Sequence, residues 1–241
     1  MKTLGLLGGM SWESTVTYYQ EINRHVRSTK GGLHSCPIVL YSFDFARIEA
    51  LQHAGNWEEA GQLLSNAAAA LQRAGADAIV LCTNTMHFVS GGIETAAGLP
   101  LLHIADPTAE RISAAGFKTV GLLGTRFTME KEFYKERLIE KYNLNVVIPD
   151  EGGRTIVHEI IYKELCNGII REESRNKYYQ VIEALKTAGA ECLILGCTEI
   201  GLLIEEGDER CGMKIFDTTK LHAIAAADWA MEDRSELASR G

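Results

Sequence analysis

Two short stretches carry the side chains best suited to chemistry, and those side chains share one position in a repeated pattern. Leu71 to Thr85 reads LQRAGADAIVLCTNT and Leu185 to Glu199 reads LKTAGAECLILGCTE. Aligned without a gap, the Ala74-Gly75-Ala76 turn falls on Ala188-Gly189-Ala190 and Thr83 falls on Cys197. Each copy runs from a helix end through a Gly turn and a buried strand to a polar strand terminus. At such a terminus a thiolate from Cys197 can remove a proton, attack a carbonyl or return a proton to a carbanion. A buried Cys is also an ordinary core residue, so the repeat, and not the residue type, singles Cys197 out.

The neighbours sort by the same geometry. Side chains alternate along a strand, so Cys82 should point away from Thr83 unless a bend turns it inward; its counterpart in the second copy is Gly196. His87 and Glu199 can serve as general acids or bases or polarise the nearby hydroxyl and thiol, and equally as a surface His and a capping Glu. Asn84, Thr85, Thr125, Thr128 and Thr198 are small donors near strand ends, suited to a carboxylate and also to ordinary helix caps.

The elements that must position these groups alternate along the chain. Thr3 to Leu7 predicts a strand, Gly8-Gly9-Met10-Ser11 its turn, and Trp12 to Arg27 a helix capped by Ser11. A helix N-terminus there aims free N–H groups at an anion. The glycines read GxxGG rather than GxGxxG, which argues against a dinucleotide. Further strands are expected at Pro37 to Phe43, Ala78 to Leu81 and Leu101 to Ile104. The pattern then restarts at Lys118 to Leu123 with Gly124-Thr125-Arg126-Phe127-Thr128 after it. A helix over Met129 to Tyr142, a strand at Val146 to Ile148, helices over Val157 to Leu165 and Glu172 to Ala188, strands at Cys192 to Leu195 and Lys214 to Phe216, and a closing helix from Leu221 complete the reading.

Four strands per half with helices between them predict an α/β chain of two pseudo-symmetric doubly wound domains, each with a four-stranded parallel sheet. The strand ends of the two halves are expected to face one cleft between the domains, with the active site there. Arg47, after the second strand, can grip a carboxylate in a fork; its surroundings in sequence favour a surface pair with Asp44 or Glu49.

Composition narrows the classes. A 241-residue chain with 46% hydrophobic and 23% charged residues is globular. A formal charge of -8 opposes unspecific binding to nucleic acid or to an anionic membrane, and no apolar run reaches membrane-span length. The N-terminus lacks the apolar core and cleavage site of a signal peptide, so a cytoplasmic protein with free thiols is expected. The six cysteines are scattered without CxxC or zinc spacing, and no metal is expected.

GLLGGMSWEST at Gly5 to Thr15, CTNTMH at Cys82 to His87, LLGTRFTM at Leu122 to Met129 and GCTEIGLL at Gly196 to Leu203 resemble the PLP-independent aspartate/glutamate racemase superfamily, in its bacterial amino-acid racemase branch. These motifs span nearly the whole chain. The resemblance implies an isomerase without cofactor, acting on a small amino-acid substrate held between two α/β domains, with the chain end returning to the first; the domains are then expected at 1–100 plus 215–241 and at 101–214. It implies two cysteines flanking the substrate Cα, one in Cys-Asn-Thr and one in Gly-Cys-Thr-Glu. Cys197 matches the second, while Thr83 stands where the first is expected.

An alcohol is a far weaker acid than a thiol and is rarely available as its conjugate base. Thr83 can therefore donate a proton more readily than remove one. In related glutamate racemases the second thiol attacks the L-enantiomer, so preference for an L-amino acid is expected. The resemblance further implies backbone and hydroxyl donors from Met10, Ser11, Asn84, Thr85, Thr125, Thr128, Thr198 and Glu199, with Arg47 and, second, Lys163 for a distal carboxylate. Aspartate and glutamate are the expected substrates. A one-thiol decarboxylase of the arylmalonate type and a catalytically impaired amino-acid-binding protein stand as alternatives. Self-association stays open.

Overall fold

A computed structural model of the chain describes residues 1–232. It contains two four-stranded parallel sheets with one strand order used twice, β2-β1-β3-β4 and β6-β5-β7-β8. The first sheet is built from β1 (Leu4–Gly8), β2 (Ile38–Ser42), β3 (Ala78–Leu81) and β4 (Leu101–Leu102). The second is built from β5 (Thr119–Gly124), β6 (Asn145–Val147), β7 (Cys192–Gly196) and β8 (Lys214–Asp217). Parallel pairing demands crossovers, which helices supply.

The chain divides into one unit of 1–103 with 222–241 and another of 104–221. The boundaries expected at 100/101 and 214/215 therefore shift. β4 pairs with β3 through Ile79–Leu101 and Val80–Leu102 and so stays in the first unit. β8 pairs with β7 from Cys192–Lys214 to Leu195–Asp217 and so belongs to the second. Backbone pairing decides ownership, and the chain returns to the first unit within a helix rather than a strand.

In the first unit, α1 (Trp12–Lys30) buries Tyr18, Ile22 and Val26 at four-residue spacing, and Ser11 caps it by accepting from the Ser14 amide. These side chains meet Leu4, Leu6, Val80 and Cys82 on one face of the sheet, together with Ala223, Ala226, Ala227 and Ala230 of α10 (Thr218–Met231). The other face carries Leu7, Ile79 and Leu81 against Leu64, Ala67, Ala68 and Leu71 of α3 (Trp57–Arg73). α2 (Phe45–Ala54) adds Ile48 there. α4 (Ser90–Ala97), hidden in the sequence by Gly91 and Gly92, packs Ile93 on the same face.

The second unit repeats the alternation. Leu193, Leu195 and Cys197 face Val157, Ile160 and Ile161 of α8 (Glu151–Lys163) and Tyr178, Ile182 and Leu185 of α9 (Glu172–Thr187). Val120, Leu122 and Ile194 face Ala109 and Ile112 of α5 (Ala105–Ala114). The helix expected over Met129 to Tyr142 is instead α6 (Arg126–Glu130), α7 (Glu132–Glu136) and a π-helical turn at Arg137–Lys141. Lys131, extended at φ -76° and ψ 147°, breaks it. Thr125 starts α6 early by accepting from the Thr128 amide, and Asp150 starts α8 six residues before the expected Val157.

The turn after β1 depends on glycine. Gly9 has φ +81°, and a Cβ there would lie 2.3 Å from the Phe43 carbonyl oxygen. Both the backbone angle and the contact with main chain exclude a side chain. Gly91, inside α4, has open space where a Cβ would stand. Gly9→Ala should cost about 2 kcal/mol or more, whereas Gly91→Ala should be neutral or gain up to about 1 kcal/mol. Thermal unfolding of the two variants measures this, and equal midpoints would contradict it.

Candidate functional site

In a sheet ordered 2-1-3-4 the chain leaves the two central strands toward opposite sides, and the crevice beyond their carboxyl ends is where open α/β sheets bind ligands. In the first unit these ends are Gly8 to Ser11 after β1 and Cys82 to Thr85 after β3. In the second unit they are Gly124 to Thr128 after β5 and Cys197 to Glu199 after β7. Each unit thus brings its own share of the expected site residues to one switch point.

At the first switch point the Gly9 amide donates to Thr15 Oγ1 at 2.8 Å, and that hydroxyl donates to the Ser11 carbonyl at 2.8 Å. Met10 is buried in the core and Ser11 serves as the cap. Cys82 continues the β1 ladder through its amide to the Leu7 carbonyl, 2.9 Å. Its side chain packs among Leu6, Tyr18 and Val80, and burial pushes the thiol well up. Cys82 is a core thiol on the face opposite Leu81, as strand alternation requires. The Thr83 amide then bonds back to Leu81 at 2.9 Å, and a 3-10 turn over Thr85–Val89 follows. Thr83, Asn84 and Thr85 are all buried. The Thr83 hydroxyl bonds to no described residue.

At the second switch point the two strand ends nearly touch. A Cβ on Gly124 would lie 2.7 Å from the Gly196 carbonyl, and one on Gly196 would lie 2.8 Å from that of Leu123. Cys197, 7% exposed, donates from Sγ to Glu199 Oε2 at 2.9 Å, and Thr198 Oγ1 donates to the same oxygen at 2.7 Å. Glu199 is itself 3% exposed. Burial holds the Cys197 thiol well above its ordinary value, and the Glu199 charge adds to this; a hydrogen bond from the Glu199 amide works the other way. Burial also pushes Cys36 up to about 11 and, with the Glu191 charge adding to it, Cys192 up to about 12. Cys197 differs from both in donating a hydrogen bond to a carboxylate.

Thr125 and Thr128 lie 3.3 Å apart through their hydroxyls, with Thr125 capping α6. Arg47 lies on the surface of the first unit, 63% exposed, with Glu59 at 3.8 Å. It lines a surface pocket with Tyr41, Phe43 and Asp44. A surface pair was the expectation from residue types, with Glu59 in place of Asp44 or Glu49. Lys163, 70% exposed, pairs with Glu159 one helical turn back at 3.1 Å. Neither cation lies at a switch point of its own unit. Among the described residues, no His, Cys, Asp and Glu cluster could hold a metal ion, and no helix is long and apolar enough to cross a membrane.

Sequence reasoning missed a histidine cluster behind Thr83. His87 Nδ1 stands 2.8 Å from the Thr83 carbonyl, and its ring meets that of His103 at a centroid distance of 4.4 Å. His222 lies 6.1 Å from His87 between the Tyr18 hydroxyl and the Leu102 carbonyl. Only His87 sits in a motif; the other two arrive from distant sequence.

A family model described as Asp/Glu/hydantoin racemase matches residues 7–226. A candidate Asp/Glu racemase from Yersinia pestis is 56% identical, with a TM-score of 0.88 over 96% of this chain and 100% of that one. An aspartate racemase homologue from Pyrococcus horikoshii is 32% identical, with a TM-score of 0.81 over 96% and 100%. The broad specificity amino-acid racemase of Bacillus subtilis is 23% identical over 84% of this chain and 87% of its own.

The thiol–carboxylate contact sets a testable pH dependence. Alkylation of Cys197 should be slow at neutral pH and still climb well above the ordinary thiol value of about 8.5, because its thiol is raised. Glu199→Gln removes a charge that raises the thiol and should move the profile to lower pH. Mass-spectrometric alkylation rates decide this, and an unmoved or upward-moved profile would contradict it.

Proposed function

The chain belongs to the Asp/Glu/hydantoin racemase family, and on that premise we propose that it is a cofactor-independent amino-acid racemase acting on aspartate or glutamate. The observation that carries the reading is the buried Cys197 thiol bonded to Glu199 at the end of β7, with Thr83 at the matching place after β3. Cys197 passes its proton to the Glu199 carboxylate, and the thiolate removes the α-proton of the L-enantiomer. The carbanion spreads its charge into the α-carboxylate, which backbone and hydroxyl donors near Ser11, Asn84, Thr125 and Thr198 stabilise. Thr83 delivers its hydroxyl proton to the opposite face; its alkoxide recovers a proton from solvent, and Glu199 releases to solvent the one it took from Cys197, which restores the site.

A raised thiol value has two consequences for this step. It makes the thiolate a stronger base toward a carbon acid, and it makes that thiolate scarcer. Glu199 links the two, because its carboxylate oxygen accepts a hydrogen bond from the thiol at an Sγ–Oε2 separation of 2.9 Å. Interconverting enantiomers has an equilibrium constant of one, so kcat/KM is equal in both directions. Preference for the L-enantiomer therefore shows as a difference in kcat and in KM separately, with Cys197 the base and Thr83, which stays protonated, the proton donor.

Thr83→Ala separates the two faces. Proton washout from L-aspartate or L-glutamate in D2O, begun by Cys197, should persist while inversion collapses, so the washout-to-inversion ratio should rise by about tenfold or more. Undiminished inversion would remove Thr83 from the mechanism.

Arg47 is proposed to leave its long, exposed contact with Glu59, which is worth little, for the distal carboxylate of the substrate; Lys163 is the second candidate. Arg47→Ala should lower kcat/KM for L-aspartate and L-glutamate by about a hundredfold and leave an uncharged amino acid within a few-fold. Equal losses on both substrates would contradict an acidic-substrate role.

A further inference from the structure

We propose that His87 is a positioning residue for Thr83, holding its carbonyl so that the hydroxyl is presented to the substrate; this rests on the racemase reading above. Thr83 follows the last residue of β3, and its amide already bonds back to Leu81. Its hydroxyl bonds to no described residue, so no hydrogen bond of its own orients it. A Thr side chain is restricted about χ1, so a shift of its backbone carries the hydroxyl with it. That backbone is fixed on its far side by His87. The carbonyl can only accept, so His87 Nδ1 carries the hydrogen across the 2.8 Å contact.

His87 is in turn held from behind. It is 2% exposed, and its ring meets His103 at 4.4 Å with a 61° tilt. His222 stands 6.1 Å away and is pinned at both nitrogens. Its Nε2 donates to the Leu102 carbonyl at 2.7 Å, so its Nδ1 accepts from the Tyr18 hydroxyl at 2.8 Å. Tyr18 is fully buried in α1. The rings thus link α1, the end of β4 and the start of the 3-10 turn to one carbonyl. A buried polar network of this kind fixes one arrangement and resists others.

The substitutions that test this use amide geometry. Asn at 87 places its amide where Nδ1 stands, and Gln places it where Nε2 stands. With L-aspartate and L-glutamate in D2O, His87→Asn should keep the washout-to-inversion ratio of the unmodified protein. His87→Gln and His87→Phe should raise it by about fivefold or more, because proton removal by Cys197 continues while delivery by Thr83 falters. A general loss of structure lowers washout and inversion together and leaves the ratio in place. If His87→Phe does not fold, the Asn and Gln pair decides. Equal ratios in Asn, Gln and unmodified protein would overturn the positioning role alone. No washout and no inversion in the unmodified protein would overturn the racemase reading, and this inference with it.

Discussion

A parallel strand order of 2-1-3-4 obliges the chain to leave its two central strands in opposite directions, and no helix can cover the crevice between their ends. This chain meets that constraint twice, in β1 and β3 and again in β5 and β7. Polar side chains at those ends escape the apolar packing that fills both faces of each sheet. Glycines let the strand ends approach, with Gly124 and Gly196 so close that neither tolerates a Cβ. Most side chains assigned to chemistry here stand at one of these two ends, while Arg47 and Lys163 do not.

Within that shared plan the two ends are chemically unequal. Cys197 is a thiol donating to a buried carboxylate, and burial together with that charge favours its protonated form. Thr83 is an alcohol whose hydroxyl has no described partner and whose carbonyl accepts from the His87 imidazole. In the proposed mechanism one end takes a proton and the other gives one. The inequality makes Cys197 the base there, and the resemblance to glutamate racemases is what pairs that base with the L-enantiomer.

Much of this was legible in the sequence because it rests on local rules. The ungapped match of Leu71 to Thr85 with Leu185 to Glu199 announced the duplication, and alternation along β3 placed Cys82 in the core and not beside Thr83. Caps were harder to read. Thr125 and Asp150 start helices earlier than the apolar spacing suggests, because a side chain accepting one amide outweighs the first apolar residue of the pattern. Domain ownership of β4 and β8 needed strand pairing, which no local pattern carries. His103 and His222 join His87 only through tertiary structure, 16 and 135 residues away in sequence by their numbers, so the support behind Thr83 could not be anticipated. Glu199 was the intermediate case: its place two residues after Cys197 was visible, but the hydrogen bond to the thiol was not.

The central claim is that a Cys197 thiolate removes the α-proton on one face and Thr83 supplies a solvent-derived proton on the other. Proton NMR with chiral analysis of L-aspartate and L-glutamate, incubated with the unmodified protein in D2O, tests it most directly. The account predicts D-isomer carrying deuterium at Cα, while the remaining L-isomer keeps most of its proton at early times. Absence of D-isomer, or D-isomer that retains the original α-proton, would contradict it.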